Sequence, residues 1–379
     1  MDGEARRNET TGAAGRLWYE WWSPRAGGGA GAHEWRATRG RAIMTHALAV
    51  ALMTAMLAMA GSARAQAPAP LAAAVGGNMN HVPSFVGVEK GIFLKHGIDM
   101  KLKVLNTGQE MSKALQAGEV QVIGSAYSNF PVAVERGMAA RGVVGLMGDR
   151  TSRYSDSPIS IWTRKATGIT KVEDLAGRKL GTPVGGTADE YLGVVLKKKG
   201  IAREKISVLN VPPGNLVSAL QGGGVDAVAC WEPFGSLVQA RVPDAVLVSR
   251  GGGNIGYYIN MAVRNEVIDQ KPDLVERYVI AMAEASQYTR QHLDEAAEIA
   301  TRWVAGLDAA VAKQAIRHMV FDPRITSHTV AAWEENVRIL IEQKKLKSAL
   351  PWQQGIELRF VEKVTKSHPQ LFSDLKPVP

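Results

Sequence analysis

Ala114-Leu115-Gln116-Ala117-Gly118-Glu119-Val120 and Ala219-Leu220-Gln221-Gly222-Gly223-Gly224-Val225 agree at five of seven positions. Each block closes a longer series. His96-Gly97-Ile98 and Val104-Leu105-Asn106 lead to the first, and Lys199-Gly200-Ile201 and Val208-Leu209-Asn210 lead to the second, about a hundred residues later. Three matches in the same order at nearly equal spacing mark an internal duplication. Each copy reads as strand–helix–strand–helix–strand. The first runs through 71–75, 84–95, 100–105, 110–117 and 120–124, the second through 179–182, 189–199, 206–210, 215–221 and 225–229. Gly97 and Gly200 each follow a helix whose last turn is rich in Lys or His, which is C-cap chemistry. Strands alternating with helices predict an α/β fold of two lobes, each a mainly parallel sheet flanked by helices. Ligands in such sheets bind beyond the carboxyl ends of the strands, beside helix N-termini. The duplication therefore predicts a site where loops 76–81 and 125–129 of one lobe face loops 184–189 and 230–233 of the other.

The chain has to pass between the lobes twice. Segments 158–163 and 255–263 read as strands leading out of the first lobe and back, and two crossings make a hinge. Lobe 1 is then 66–163 with 257–379, and lobe 2 is 164–256. After the return the pattern is helical through 273–291, 294–305, 308–319, 328–344 and 353–366. Leu274, Val275, Tyr278, Val279, Met282 and Ala285 form a core-facing stripe on the first of these helices.

Ala47 to Ala60 is apolar except for Thr54, too short for a comfortable membrane span and suited to a signal-peptide core. Arg39 and Arg41 precede it, and Ala63-Arg64-Ala65 offers the small-residue pattern of a cleavage site. The reading is a secreted, periplasmic protein cleaved after Ala65, with Met44 as the start and residues 1–43 an over-extended leader. The net charge of +9 arises from 45 basic and 36 acidic residues. Beyond residue 65 the basic residues are scattered among acids, so the surface is solvated and is not a nucleic-acid stripe. The single cysteine, Cys230, excludes an internal disulfide and a Cys-based metal site.

Residues 76–91, with His81-Val82-Pro83, and the following Glu89-Lys90-Gly91-Ile92-Phe93 resemble the first-lobe signature of the alkanesulfonate-, taurine- and nitrate-binding proteins of ABC importers. That group also contains binders of thiamine-pyrimidine precursors. The Ala-Leu-Gln-x-Gly-x-Val blocks, Gly185-Gly186-Thr187-Ala188-Asp189, Trp231-Glu232-Pro233 and Lys271-Pro272-Asp273-Leu274-Val275 fit the same pattern. The resemblance covers roughly residues 70–372 and is specific for the family but not for the ligand. It implies a type II periplasmic-binding-protein fold, a monomer closing around one solute, and partnership with a membrane permease and its ATPase.

Thr187 with Glu190 fits a capping box, and the amides of Gly186, Thr187 and Ala188 at that helix start suit an anion. Ser125, Tyr127 and Ser128 follow the last strand of the first copy and offer hydroxyls. Asn80 and His81 sit on the exit loop of the first strand, and Tyr257 lies on the return crossing. Trp231 is expected to wall the pocket. Asp189 and Glu232 leave two ligand classes open. If both point inward, a ligand with a cationic or N–H-bearing end fits, such as taurine or an aminopyrimidine. If both only cap helices, a simple sulfonate or carboxylate fits. The resemblance implies a small anionic or zwitterionic ligand of the alkanesulfonate, taurine or nitrate class, with an aminopyrimidine or aromatic carboxylate as the alternative. No cofactor and no metal are expected, since His81 has no second His or Cys at ligand spacing. A ligand-presenting sensor and a biosynthetic enzyme on the same fold are the competing classes. The enzyme reading lacks a nucleophile with a partnered base.

Overall fold

Each copy of the duplicated sequence contributes three strands to one five-stranded sheet. The computed structural model describes residues 67–378. The expected signal segment and the start at Met44 lie outside the described residues. The strands are β1 (Ala69–Gly76), β2 (Ile98–Leu105), β3 (Val122–Ala126), β4 (Ala140–Met147), β5 (Ile159–Arg164), β6 (Lys179–Thr182), β7 (Ser207–Asn210), β8 (Ala227–Trp231), β9 (Ala245–Arg250) and β10 (Ile259–Arg264). One sheet has the order β2-β1-β3-β10-β4 and the other β7-β6-β8-β5-β9. β1 runs parallel to β2 and β3, and β6 runs parallel to β7 and β8. β10 is antiparallel to β3 and β4, and β5 is antiparallel to β8 and β9. The fourth place in each sheet is thus filled by the strand that comes directly from the other lobe.

That pairing corrects one boundary. The strand expected to lead out of the first lobe belongs to the second sheet, where Ser160 pairs with Cys230 and Arg250. The backbone groups of 159–164 find their partners there, so lobe 2 begins at Ile159 and not after residue 163. The long helix expected over 84–95 is two helices, Val82–Glu89 and Ile92–Lys95, because Gly91 breaks the turn at φ 67°. The closing strand of each copy lies two residues later than its apolar pattern indicates, at 122–126 and 227–231. β4 and β9 stand outside the repeat and were not predicted. The tail follows expectation through Pro272–Gln291, Leu293–Trp303, Ala309–Ile316 and Ser327–Glu342. Its last helix starts only at Arg359, after a short 3-10 turn at Trp352–Gln354.

Two chain crossings lie side by side between the sheets. Asp156 on the outgoing segment accepts the amides of Gly253 and Asn254 at 3.1 and 2.6 Å on the returning one. Tyr258 on the returning segment donates to the Asp149 carbonyl at 2.7 Å. Arg150 is fully buried beneath them, its guanidinium 4.7 Å from the Tyr258 ring. It donates to the carbonyls of Met147, Ile259 and Asp322, to Asn260 Oδ1 and to Thr329 Oγ1. One side chain therefore ties β4, β10 and the helical tail to the hinge.

The tail completes the first lobe's core. Trp333, fully buried, meets Tyr127 edge-on at 5.2 Å and Phe130 at 6.0 Å, and its indole N–H donates to the Leu350 carbonyl at 3.1 Å. Truncation here removes a large apolar volume from a packed interior. Trp333→Ala should cost about 3–5 kcal/mol in urea unfolding. A loss below about 1 kcal/mol, typical of surface positions, would show that the tail is not part of that core.

Candidate binding site

A cavity of about 420 Å³ lies between the lobes, at the carboxyl ends of β1, β2, β6, β7 and β8. Lobe 1 contributes Asn78, Asn80, His81, Thr107, Gln109, Asn129 and Tyr257, and lobe 2 contributes Gly185, Gly186, Thr187, Asn210, Asn215 and Trp231. Six of the residues expected from sequence line it: Asn80, His81, Gly186, Thr187, Trp231 and Tyr257.

The other six are used elsewhere. Ser125 donates to the Asn260 carbonyl at 2.9 Å, and Tyr127 accepts from Asn260 Nδ2 at 2.8 Å in the core. Ser128 is taken by Thr187, with which it shares a 2.7 Å hydrogen bond across the lobes. Ala188 is fully buried on the inner face of the helix Thr187–Lys198. Asp189 accepts from the Gly185 amide at 2.9 Å and from Lys345 at 3.1 Å, and it is also ion-paired with Arg203. Burial works against its ionisation, but Lys345, the Gly185 amide and Arg203 outweigh it and hold the carboxyl below its usual range. Glu232 is fully buried, 2.7 Å from Arg250, and accepts the Ser236 amide at 3.1 Å. Both carboxylates hold protein groups and neither faces the cleft.

The expected capping box of Thr187 and Glu190 does not form. Gly186 is the N-cap, and the Thr187 hydroxyl is engaged with Ser128. The capping box of this site is in lobe 1, where Thr107 and Glu110 cap the helix Gly108–Gln116. Sequence reading also passed over Asn106–Gln109 and Asn210–Asn215. The duplication carried the signal for them, because Val-Leu-Asn ends the second strand of both copies and puts Asn106 and Asn210 at equivalent strand ends.

The lining carries almost no charge. It includes no Lys, Arg or Asp, and its one carboxylate, Glu110, already accepts the Asn106 and Thr107 amides at 2.8 and 3.3 Å. Burial pulls His81 down to about 3, so its ring is neutral. The ring packs against β1 and β3 because Gly76 and Gly124 have no side chains. A Cβ on Gly124 would stand 1.9 Å from His81 Cε1. His81 Nδ1, Asn80 Oδ1 and Trp231 Nε1 are buried with no protein hydrogen-bond partner. The helices Gly108–Gln116 and Thr187–Lys198 start at the cavity wall from opposite lobes. Their first-turn amides offer hydrogen-bond donors, and at the Gly108–Gln116 start the Glu110 carboxylate offsets the partial positive charge.

The sequence profile of the NMT1/THI5-like family matches residues 78–296. The chain belongs to the NMT1/THI5-like family. Among family relatives, a Bacillus subtilis (strain 168) protein assigned to aliphatic sulfonate binding is 24% identical over 295 residues, 76% of this chain and 86% of its own length. A Brucella abortus (strain 2308) protein assigned as a binding protein is 25% identical over 227 residues, 58% of this chain. That match spans 66% of the Brucella protein, just under two thirds. In structure, the alkanesulfonate-binding protein of Xanthomonas axonopodis pv. citri bound to MOPS superposes with a TM-score of 0.67 at 18% identity, covering 76% of this chain and 98% of its own. The fold is that of the periplasmic binding proteins, with two sheets of five strands flanked by helices.

Glu190 sits on the seam between the lobes. On its helix, Thr187 meets Ser128, Gly193 lies against Gln343, and Lys197 pairs with Glu342. Both Glu190 oxygens are buried without a partner. Burial raises its pKa to about 8; Lys345 opposes that rise and Asp189 adds to it. The folded value is raised above the ordinary 4.5, so the stability it contributes is full below 4.5 and lost as pH climbs toward about 8. The melting temperature of the wild type should fall across that window, and Glu190→Gln should flatten the fall. Parallel pH profiles for the two proteins would show that Glu190 is ionised in the fold.

Proposed function

We propose that the chain is the extracytoplasmic solute-binding protein of an ABC importer. It captures a small organic oxyanion of the alkanesulfonate or carboxylate class between its lobes and delivers it to a membrane permease and its ATPase. The observation that carries this reading is a cleft furnished with neutral N–H and O–H groups and two helix starts, with Asp189 and Glu232 both withdrawn from it.

Sulfonate and carboxylate oxygens accept hydrogen bonds and need donors. Trp231 Nε1, the His81 ring N–H, the Tyr257 hydroxyl and the amides at the two helix starts supply them. An ammonium end would need a carboxylate, and those near this site are already paired, while an aminopyrimidine N–H would meet a single unpartnered acceptor, Asn80 Oδ1. Taurine and aminopyrimidines therefore rank below sulfonates without an amine. A cavity of about 420 Å³ is in the range of organic-ligand pockets, which favours an oxyanion with a carbon tail over nitrate. Met111, Val184, Ile259 and the face of Trp231 provide the apolar wall for that tail. The enzyme reading has little chemistry to draw on: Cys230 is buried, its thiol pushed up to about 12, with Ser160 Oγ as its neighbour at 3.9 Å. Delivery from the periplasm agrees with the signal segment read before Ala65.

Binding should draw the lobes together about the paired crossings. A thermal-shift panel of alkanesulfonates, taurine, nitrate, aminopyrimidines and aromatic acids ranks the classes. A ligand at 100 times its Kd adds about 2.7 kcal/mol. Trp231→Ala should weaken the best sulfonate about tenfold or more by calorimetry, while Glu232→Gln lowers stability and leaves the donors in place. A best ligand that carries an amine and no oxyanion would overturn the assignment.

A further inference from the structure

A second cavity, of about 560 Å³, adjoins the first and shares Gly108, Gln109, Asn129 and Gly185 with it. Gln109 and Asn129 of lobe 1 and Gly185 of lobe 2 line both spaces, and the Ser128–Thr187 hydrogen bond joins the wall of the second to the wall of the first. Gln109 Nε2 from lobe 1 lies 3.3 Å from where a Cβ on Gly185 of lobe 2 would stand. The two spaces differ sharply in charge. The first has no lysine or arginine in its lining, whereas Lys113, Arg136, Lys344 and Lys345 line the second, and no Asp or Glu does. Lys345 is paired with Asp189. Lys113, Arg136 and Lys344 have no carboxylate partner among the described residues. Lys344 is also held at φ 57°, the one non-glycine residue with a positive φ among those described. Unneutralised like charges around one concave space repel each other and raise the local potential for an anion.

We propose that this basic annex is a subsite for a second anionic group of the bound solute. The preferred ligands are then organic dianions, with one oxyanion on the neutral donors of the main cleft. A chain passes Gln109 and places a second sulfonate or carboxylate among Lys113, Arg136 and Lys344. The proposal rests on the oxyanion-binding reading of the main cleft and narrows its substrate class. The division of labour is physical. The main cleft uses directional N–H donors, which select an oxyanion by geometry. The annex uses the exposed cations Lys113, Arg136 and Lys344, which add attraction that salt can screen.

Calorimetry with α,ω-alkanedisulfonates of graded length and with alkanesulfonates of matching length separates the two readings. For the wild type, the best disulfonate should bind on the order of tenfold tighter than its monosulfonate partner, since two or three weak ion pairs act together. That advantage should largely vanish in the variant carrying Lys113→Gln and Lys344→Gln, and in molar salt, where the screening length falls to about 3 Å. Monosulfonate affinity should stay the same in the variant, which also shows that the variant is folded. Equal affinities for disulfonates and monosulfonates in the wild type would reject the annex and leave the oxyanion receptor standing. A disulfonate advantage that survives in the variant would reject it as well. Failure of every sulfonate and carboxylate to bind would remove both readings.

Discussion

The paired crossings between the lobes are the constraint on which the rest of this protein depends. A two-lobed chain must leave one sheet and return to it, and here both passages are hydrogen-bonded to each other through Asp156 and Tyr258. Arg150 anchors the assembly by holding five oxygens from β4, β10 and the tail. Burial of a guanidinium is costly unless its donors are satisfied. No carboxylate oxygen is among its acceptors, and the neutral oxygens and the Tyr258 face take that role. The consequence is directional. Both sheets receive their antiparallel fourth strand straight from this clamp, so their carboxyl ends are turned toward one shared space.

What fills that space follows from where the charges went. Asp189 and Glu232 stand at the mouths of the second-lobe strands, where a ligand carboxylate partner would be expected. Each is instead consumed by arginine or lysine and by a backbone amide. Their withdrawal leaves a cleft of uncharged donors, in which His81 is neutral and Glu110 is spent on a helix start. Buried unpaired donors discriminate strongly, because a ligand lacking acceptors leaves them without hydrogen bonds. The cationic side chains of this region, Lys113, Arg136, Lys344 and Lys345, line the adjoining cavity instead.

The same helix that presents its amides to the cleft also forms the seam between the lobes. Thr187, Gly193 and Lys197 meet Ser128, Gln343 and Glu342 in turn. Glu190 lies among them, buried without a hydrogen-bond partner, which is a cost to the fold. One element thus lines the cleft with its first turn and packs across the seam with its outer face.

The sequence by itself determined the duplication, the α/β class, the two crossings and the loops that meet. These rest on local signals: strand and helix periods, C-cap glycines and the order of three repeated blocks. It also marked Asn80, His81, Gly186, Thr187, Trp231 and Tyr257 as cavity residues, because strand carboxyl ends are positions in a pattern. Only the tertiary structure decided which sheet owns residues 159–164, since strand ownership is a matter of hydrogen-bond partners distant in sequence. The same holds for the six residues drawn away from the cleft. Ser125, Tyr127, Ser128 and Ala188 were claimed by core and seam packing. Asp189 found Lys345 from the far tail, and Glu232 found Arg250. A carboxylate's role depends on which cation reaches it first in space, and no spacing along the chain records that.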